Sequence, residues 1–233
     1  MFYFDPMYML FALPAMLLAI YAQFKVQGAY KKYSLVRSQN GLTGADAARV
    51  LIPANGLSIR TEIIRGNLTD HYDPRKKIMR ISEGTARNPS VASVGVVAHE
   101  LGHAMQDKTN YPLLRLRSGI VPLVNISSWM GYILFTLGAI IRASGLLWLG
   151  VILFSAGAVF ALLTLPVELD ASKRALKMLK ANNLVTSQEL SGVKAVLSAA
   201  SLTYVAALAQ TLSQLLYFVF VALGMGGSSR RRS

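Results

Sequence analysis

The sequence predicts a mostly α-helical membrane protein, with about four transmembrane helices and a small α+β domain on the cytoplasmic side. Of its 233 residues, 53% are hydrophobic and only 15% are charged, and the mean hydropathy is +0.43. An ordinary soluble domain of this length is less apolar. Several windows without any charge are long enough for the roughly 20 apolar residues that one transmembrane helix needs. The basic residues lie mainly in two connections between these windows.

The uncharged windows locate the predicted spans. No charged residue occurs in the ranges 118–141, 143–167 and 195–229, and a further Leu-rich window covers about 6–24. The first window lacks a positively charged leader, so we interpret it as an anchor and not as a removed signal peptide. The predicted transmembrane helices are 1–24, 118–141, 143–167 and 203–226, with a cytoplasmic segment at 25–117 and cytoplasmic helices at 168–202.

The distribution of basic residues predicts the orientation. The first and third connections carry most of the 24 Lys and Arg residues, whereas the second offers only Arg142. The positive-inside rule therefore places the two polar connections in the cytoplasm. The same topology leaves Arg230, Arg231 and Arg232 outside, against the rule. The net charge of +13 is interpreted as contact with the lipid bilayer, with no nucleic-acid partner, because the basic residues follow the membrane boundaries.

The cytoplasmic connections contain patterns for both helices and strands. Capping and turn residues bound a short helix within 43–56, and a longer helix is predicted from 88–90 to about Lys108. Between them, alternating apolar residues within 57–65 and 77–82 predict two or three short strands. A capping box, Thr186 to Glu189, opens a helix towards Ser201.

The sequence His99-Glu100-Leu101-Gly102-His103 is the strongest functional motif. On a helix, residues four apart lie on one face, so both imidazoles can converge on one zinc ion, with Glu100 beside them. Imidazole is a good zinc ligand, and a nearby carboxylate can accept a proton from water at the metal. The chain has no cysteine, so zinc must be held by His and carboxylate groups. The alternative is two core histidines beside a chance glutamate.

A third ligand for the predicted zinc ion, one per chain, must come from elsewhere. Glu168 and Asp170 directly follow an uncharged window, and a carboxylate at a membrane boundary is costly without a partner. We predict Glu168 as the ligand and Asp170 as the group that orients a ligand imidazole. Alternatively, both carboxylates mark the helix exit or pair with Lys173 and Arg174.

Hydrolysis of a peptide also needs a proton acceptor and a donor to the oxyanion. Glu100 is the predicted general base. His71, the remaining histidine, is the first candidate donor, and Tyr204 is the second. The alternatives are a surface histidine in a turn and an aromatic residue at the membrane interface.

Several stretches resemble the YugP-type bacterial membrane zinc metallopeptidases, and are more distantly similar to the HtpX and CAAX-prenyl-protease group of gluzincins. They are Asp70-His71-Tyr72-Asp73-Pro74, the run from Ala98 to Gln106, Glu168-Leu169-Asp170-Ala171 and the run from Leu202 to Ala206. The resemblance implies His99, His103 and Glu168 as ligands and Glu100 as base. It also implies that 78–82 binds substrate as an added strand. Ser172 stands where the gluzincin relatives carry Asp.

These observations predict a zinc endopeptidase in a bacterial cell membrane, multi-pass, with its active site facing the cytoplasm and a peptide or membrane-protein substrate. An inactive zinc-binding scaffold or adaptor is the second hypothesis, although a structural zinc needs no general base such as Glu100. A transporter component is the third, and the near absence of ionisable residues within the spans disfavours it. The sequence indicates neither the substrate nor the oligomeric state.

Overall fold

The computed structural model describes residues 6–229, with side chains as far as residue 224, so the Arg230–Arg232 tail lies outside the described residues. The predicted fold class is confirmed, because four long apolar helices accompany a small three-stranded mixed sheet. The elements are α1 (Pro6–Ser34), α2 (Gly44–Ala54), β1 (Arg60–Ile64), β2 (His71–Asp73), β3 (Ile78–Ser82), α3 (Glu83–Arg87), α4 (Val91–Lys108), α5 (Pro112–Ile141), α6 (Ser144–Ala181) and α7 (Ser187–Ser229). The candidate spans lie in α1, α5, α6 and α7.

One compact unit, here called the membrane unit, consists of the described residues of Met1–Tyr21, Leu116–Leu165 and Tyr204–Ser233. Within it, α5 and α6 approach closely through glycines. A Cβ atom on Gly131 would lie 2.5 Å from the backbone nitrogen of Phe154, and one on Gly150 would lie 2.6 Å from that of Phe135. Small residues permit such backbone contact between membrane helices. Phe135 also stacks on Phe218 of α7, with ring centroids 3.8 Å apart.

The second unit, here called the polar unit, consists of Ala22–Arg115 and Pro166–Thr203. Its sheet has the strand order β1-β3-β2, with β1 parallel and β2 antiparallel to β3. Strand β3 is therefore paired on both sides. The expectation that 78–82 accepts substrate as an added strand is wrong for Ile78–Arg80, because these residues are paired with β1 on one side and with β2 on the other.

Three local features differ from the sequence predictions. His71 begins strand β2 and does not lie in a turn. Helix α3 was not predicted, because five residues are too short to show a helical period. The helix after the Thr186 capping box does not end near Ser201, since α7 continues without a break to Ser229.

Candidate metal centre

Helix α4 carries the His-Glu motif and is fixed at its amino end by Ser90. The Ser93 backbone N–H donates to Ser90 Oγ at 3.2 Å, which caps the helix. The apolar face, including Val94, Val97 and Leu101, is completely buried. The imidazoles of His99 and His103 consequently lie one turn apart, with ring centroids separated by 4.9 Å.

Helix α6 brings Glu168 against α4, and Gly102 permits the close approach. A Cβ atom on Gly102 would lie 2.3 Å from the carbonyl oxygen of Ala171, well inside van der Waals contact. A side chain at position 102 would therefore push the helices apart. With glycine there, Glu168 is only 2% exposed and faces the two histidines.

The three side chains form a compact donor set. Glu168 Oε2 lies 3.2 Å from His99 Nε2 and 3.4 Å from His103 Nε2. One potential ligand atom from each residue lies within 4.8 Å of the other two. Ligand atoms around a tetrahedral zinc ion with typical bond lengths are about 3.3 Å apart, and two imidazoles with one carboxylate are a common zinc set. The donor types and the separations therefore fit a zinc ion.

Gln106 fixes the orientation of His103. Its Nε2 group donates to the Val167 carbonyl oxygen at 2.7 Å and to Asp170 Oδ2 at 2.9 Å, so its Oε1 atom must be the acceptor on the other side. That oxygen lies 3.0 Å from His103 Nδ1. The proton of neutral His103 is therefore held on Nδ1, which leaves the Nε2 lone pair for a metal.

Asp170 and Ser172 support the two imidazoles in different ways. Asp170 does not contact an imidazole directly: it acts through Gln106 and also accepts from Arg174 Nε at 2.6 Å. The predicted pairing of Asp170 with Arg174 is therefore present in addition. Ser172 Oγ lies 3.2 Å from His99 Nδ1, so the serine at the position of the relatives' aspartate supports His99.

Glu100 lies beside the donor set, and its carboxylate accepts a hydrogen bond from strand β2. Its Oε2 atom accepts the backbone N–H of Tyr72, in β2, at 2.9 Å. Burial raises the pKa of the Glu100 carboxyl, while the neighbouring imidazoles and the Tyr72 N–H oppose that rise. A carboxylate with a raised pKa is a better proton acceptor near neutral pH than one in water.

The structure does not bring His71 into the donor set. The His71 side chain is exposed, and its Nδ1 and Nε2 atoms lie 2.8 Å from the Thr69 carbonyl oxygen and 3.3 Å from Arg80. Adjacent strand residues point to opposite faces, and it is Tyr72 that faces α4. Tyr204 belongs to the membrane unit, and its role remains a prediction.

Sequence reasoning did not identify Gln106, Ser172 or Tyr72 as parts of the site. Gln106 is three residues after His103, a spacing that puts both side chains on one helix face. Ser172 is four residues after Glu168, and this spacing likewise puts both side chains on one face of α6. Tyr72 lies within the quoted Asp70–Pro74 motif, but its backbone contact depends on tertiary structure.

Comparison with known proteins agrees with this chemistry. Residues 8–223 match the family described as "Putative neutral zinc metallopeptidase". The chain is 42% identical over 218 residues to the "Putative membrane protease YugP" of Bacillus subtilis (strain 168), which covers 93% of this chain and 97% of that protein. No solved structure matches the chain.

Proposed function

Because the chain belongs to the neutral zinc metallopeptidase family, we propose that it is a zinc endopeptidase with a Glu100 general base and a cytoplasmic active site. The observation that carries this proposal is the convergence of His99, His103 and Glu168 on one point, with Glu100 adjacent. Among the described residues, three side chains of this cluster can bind the metal. A three-ligand set leaves a coordination position for water or substrate, whereas a structural zinc site usually has four protein ligands.

The chemistry divides between the metal and the side chains. Zinc, when bound by His99, His103 and Glu168, supplies a Lewis acid that acidifies water and polarises a peptide carbonyl. Glu100 accepts the proton of the attacking water and returns it to the leaving amine. Oε2 of Glu100 accepts the Tyr72 N–H, and we assign this proton to Oε1, the oxygen that does not take part in that hydrogen bond.

The position of Glu168 supports a site near the bilayer. Glu168 directly follows the uncharged window 143–167 on the continuous helix α6. A peptide bond cleaved there would belong to an extended segment close to the membrane, in a peptide or a membrane protein. The excess of Lys and Arg in the connections that contain His99 and Glu168 supports a cytoplasmic location.

Removal of the metal tests the activity. We expect chelation of the purified protein to abolish hydrolysis of an unstructured fluorogenic peptide, and stoichiometric zinc to restore it, because both the water and the carbonyl depend on the metal. The measurement is the initial rate before chelation, after it and after zinc is returned. A magnesium addition is the control, since the donor set has two imidazoles and magnesium prefers oxygen. Hydrolysis that persists without zinc would contradict the proposal.

Single cysteines test the orientation, since the natural chain has none. Ser58, Ser144 and Ser187 are exposed in their units, so serine-to-cysteine replacement disturbs little. In intact cells, a membrane-impermeant thiol reagent is expected to label Ser144→Cys and not the other two variants. All three should be labelled after the cells are opened, which controls for reactivity. Labelling of Ser58→Cys or Ser187→Cys in intact cells would place the zinc site outside.

A further inference from the structure

In the motif Asp70-His71-Tyr72-Asp73-Pro74, the two aspartates lie at the ends of strand β2 and fix both ends. Asp70 accepts the Ser82 backbone N–H at 2.8 Å and the Thr85 hydroxyl at 3.0 Å. Asp73 Oδ1 accepts the backbone N–H groups of residues 75 and 76 at 3.0 and 3.2 Å. Asp70 therefore ties the chain before β2 to the end of β3, and Asp73 closes the turn after β2.

Tyr72, at the centre of this strand, contacts α4 through two different groups. Its backbone N–H donates to Glu100 Oε2 at 2.9 Å, and its hydroxyl donates to Asp107 Oδ2 at 2.7 Å. Tyr72 is only 9% exposed, and both hydrogen bonds are partly buried. Lys77 pairs with the same Oδ2 atom of Asp107; the Lys77 side chain is 54% exposed and that of Asp107 is 14% exposed.

The two acceptors lie on the same face of α4. Glu100 and Asp107 are seven residues apart, about two helical turns, so both side chains point towards β2. Tyr72 is thus held at its hydroxyl by Asp107 and, in turn, holds the carboxylate of Glu100 with its N–H. If the hydroxyl contact is lost, the strand can shift and the N–H donor moves with it.

We propose that Tyr72 and Asp107 are positioning residues for Glu100, an inference that rests on the proposed function of Glu100 as base. Rotation of a carboxylate about its last side-chain bond meets only a broad, shallow preference. The Tyr72 N–H selects one orientation, in which Oε2 accepts its hydrogen bond. Asp107 keeps the donor in that position. Misplacement of a reacting group by about 1 Å can reduce a rate by as much as 10²-fold.

Kinetics of four variants test this inference. Tyr72→Phe removes the donor of the hydroxyl contact, Asp107→Ala removes its acceptor, and the double variant removes both. We expect each to lower kcat by roughly tenfold to 10²-fold, with KM and bound zinc unchanged. The double variant should be no slower than the slower single variant, because one contact is lost in all three. Glu62→Ala is the matched control for loss of a carboxylate, since Glu62 is exposed on β1, and it should leave kcat unchanged.

Hydrogen exchange provides a readout that does not need activity. The backbone amide of residue 72 should exchange faster in Tyr72→Phe and in Asp107→Ala than in the wild type and Glu62→Ala, while amides of α2 stay unchanged. Unchanged kcat together with slow exchange at residue 72 would overturn the inference. So would a loss of zinc that parallels the loss of kcat, because it would indicate general disruption. If the wild type cleaves no peptide, the proposed function fails. The exchange data then decide alone whether the hydrogen bond between the Tyr72 hydroxyl and Asp107 holds the Tyr72 N–H in place.

Discussion

The substitution Glu100→Gln is expected to lower kcat by about 10²–10⁴-fold, the usual contribution of general base assistance. The amide can still accept the Tyr72 N–H, so the local geometry is kept, but it cannot take a proton from water. Zinc should stay bound, because the proposed ligand atoms belong to His99, His103 and Glu168. The measurement combines initial rates of peptide cleavage with metal analysis of the same preparation.

Glu83→Gln is a suitable control for this result, since Glu83 is exposed at the start of α3 and lies outside both the donor set and α4. It should cleave at the wild-type rate. If Glu100→Gln retained the rate of the wild type, the role assigned to this carboxylate would be wrong.

Removal of any one ligand is expected to deplete zinc from the purified protein. His99→Ala, His103→Ala and Glu168→Ala each leave two protein ligands, too few to hold the ion through purification. Asp170→Ala should weaken binding by only about 10–100-fold, because Asp170 acts on His103 through Gln106. The measurement is zinc per chain at fixed free-metal concentrations.

His71→Ala is the matched control for this series. His71 is the one other histidine of the chain, and its ring contacts the Thr69 carbonyl and Arg80. Full zinc occupancy is expected for it. If Asp170→Ala emptied the site while Glu168→Ala kept the metal, the wrong carboxylate would have been assigned as ligand.

Much of this arrangement follows from local sequence. Two histidines four residues apart must share a helix face, and the Ser90 cap and apolar residues around them determine a helix. Glu168 was identifiable because a carboxylate placed after 25 uncharged residues needs a partner. The transmembrane helices could be predicted because each contains an uncharged window of sequence that is long enough to cross a bilayer.

Other features depend on contacts between segments distant in sequence. No local pattern determines that β3 lies between β1 and β2, since parallel pairing of β1 with β3 depends on how the intervening chain crosses over. The contact of Gln106 with Asp170 depends on how closely α4 approaches α6, which Gly102 permits. His71 was wrongly placed in a turn because turn-forming residues surround the short strand β2.

Zinc K-edge X-ray absorption of the purified wild-type protein tests the central claim most directly, because it reports the atoms bound to the metal. The account predicts one zinc per chain with two imidazole nitrogens and two or three oxygens, one of them exchangeable solvent, and no sulfur. A site with three imidazoles, which would require His71, or one saturated by four protein ligands, would contradict an active centre built from His99, His103 and Glu168.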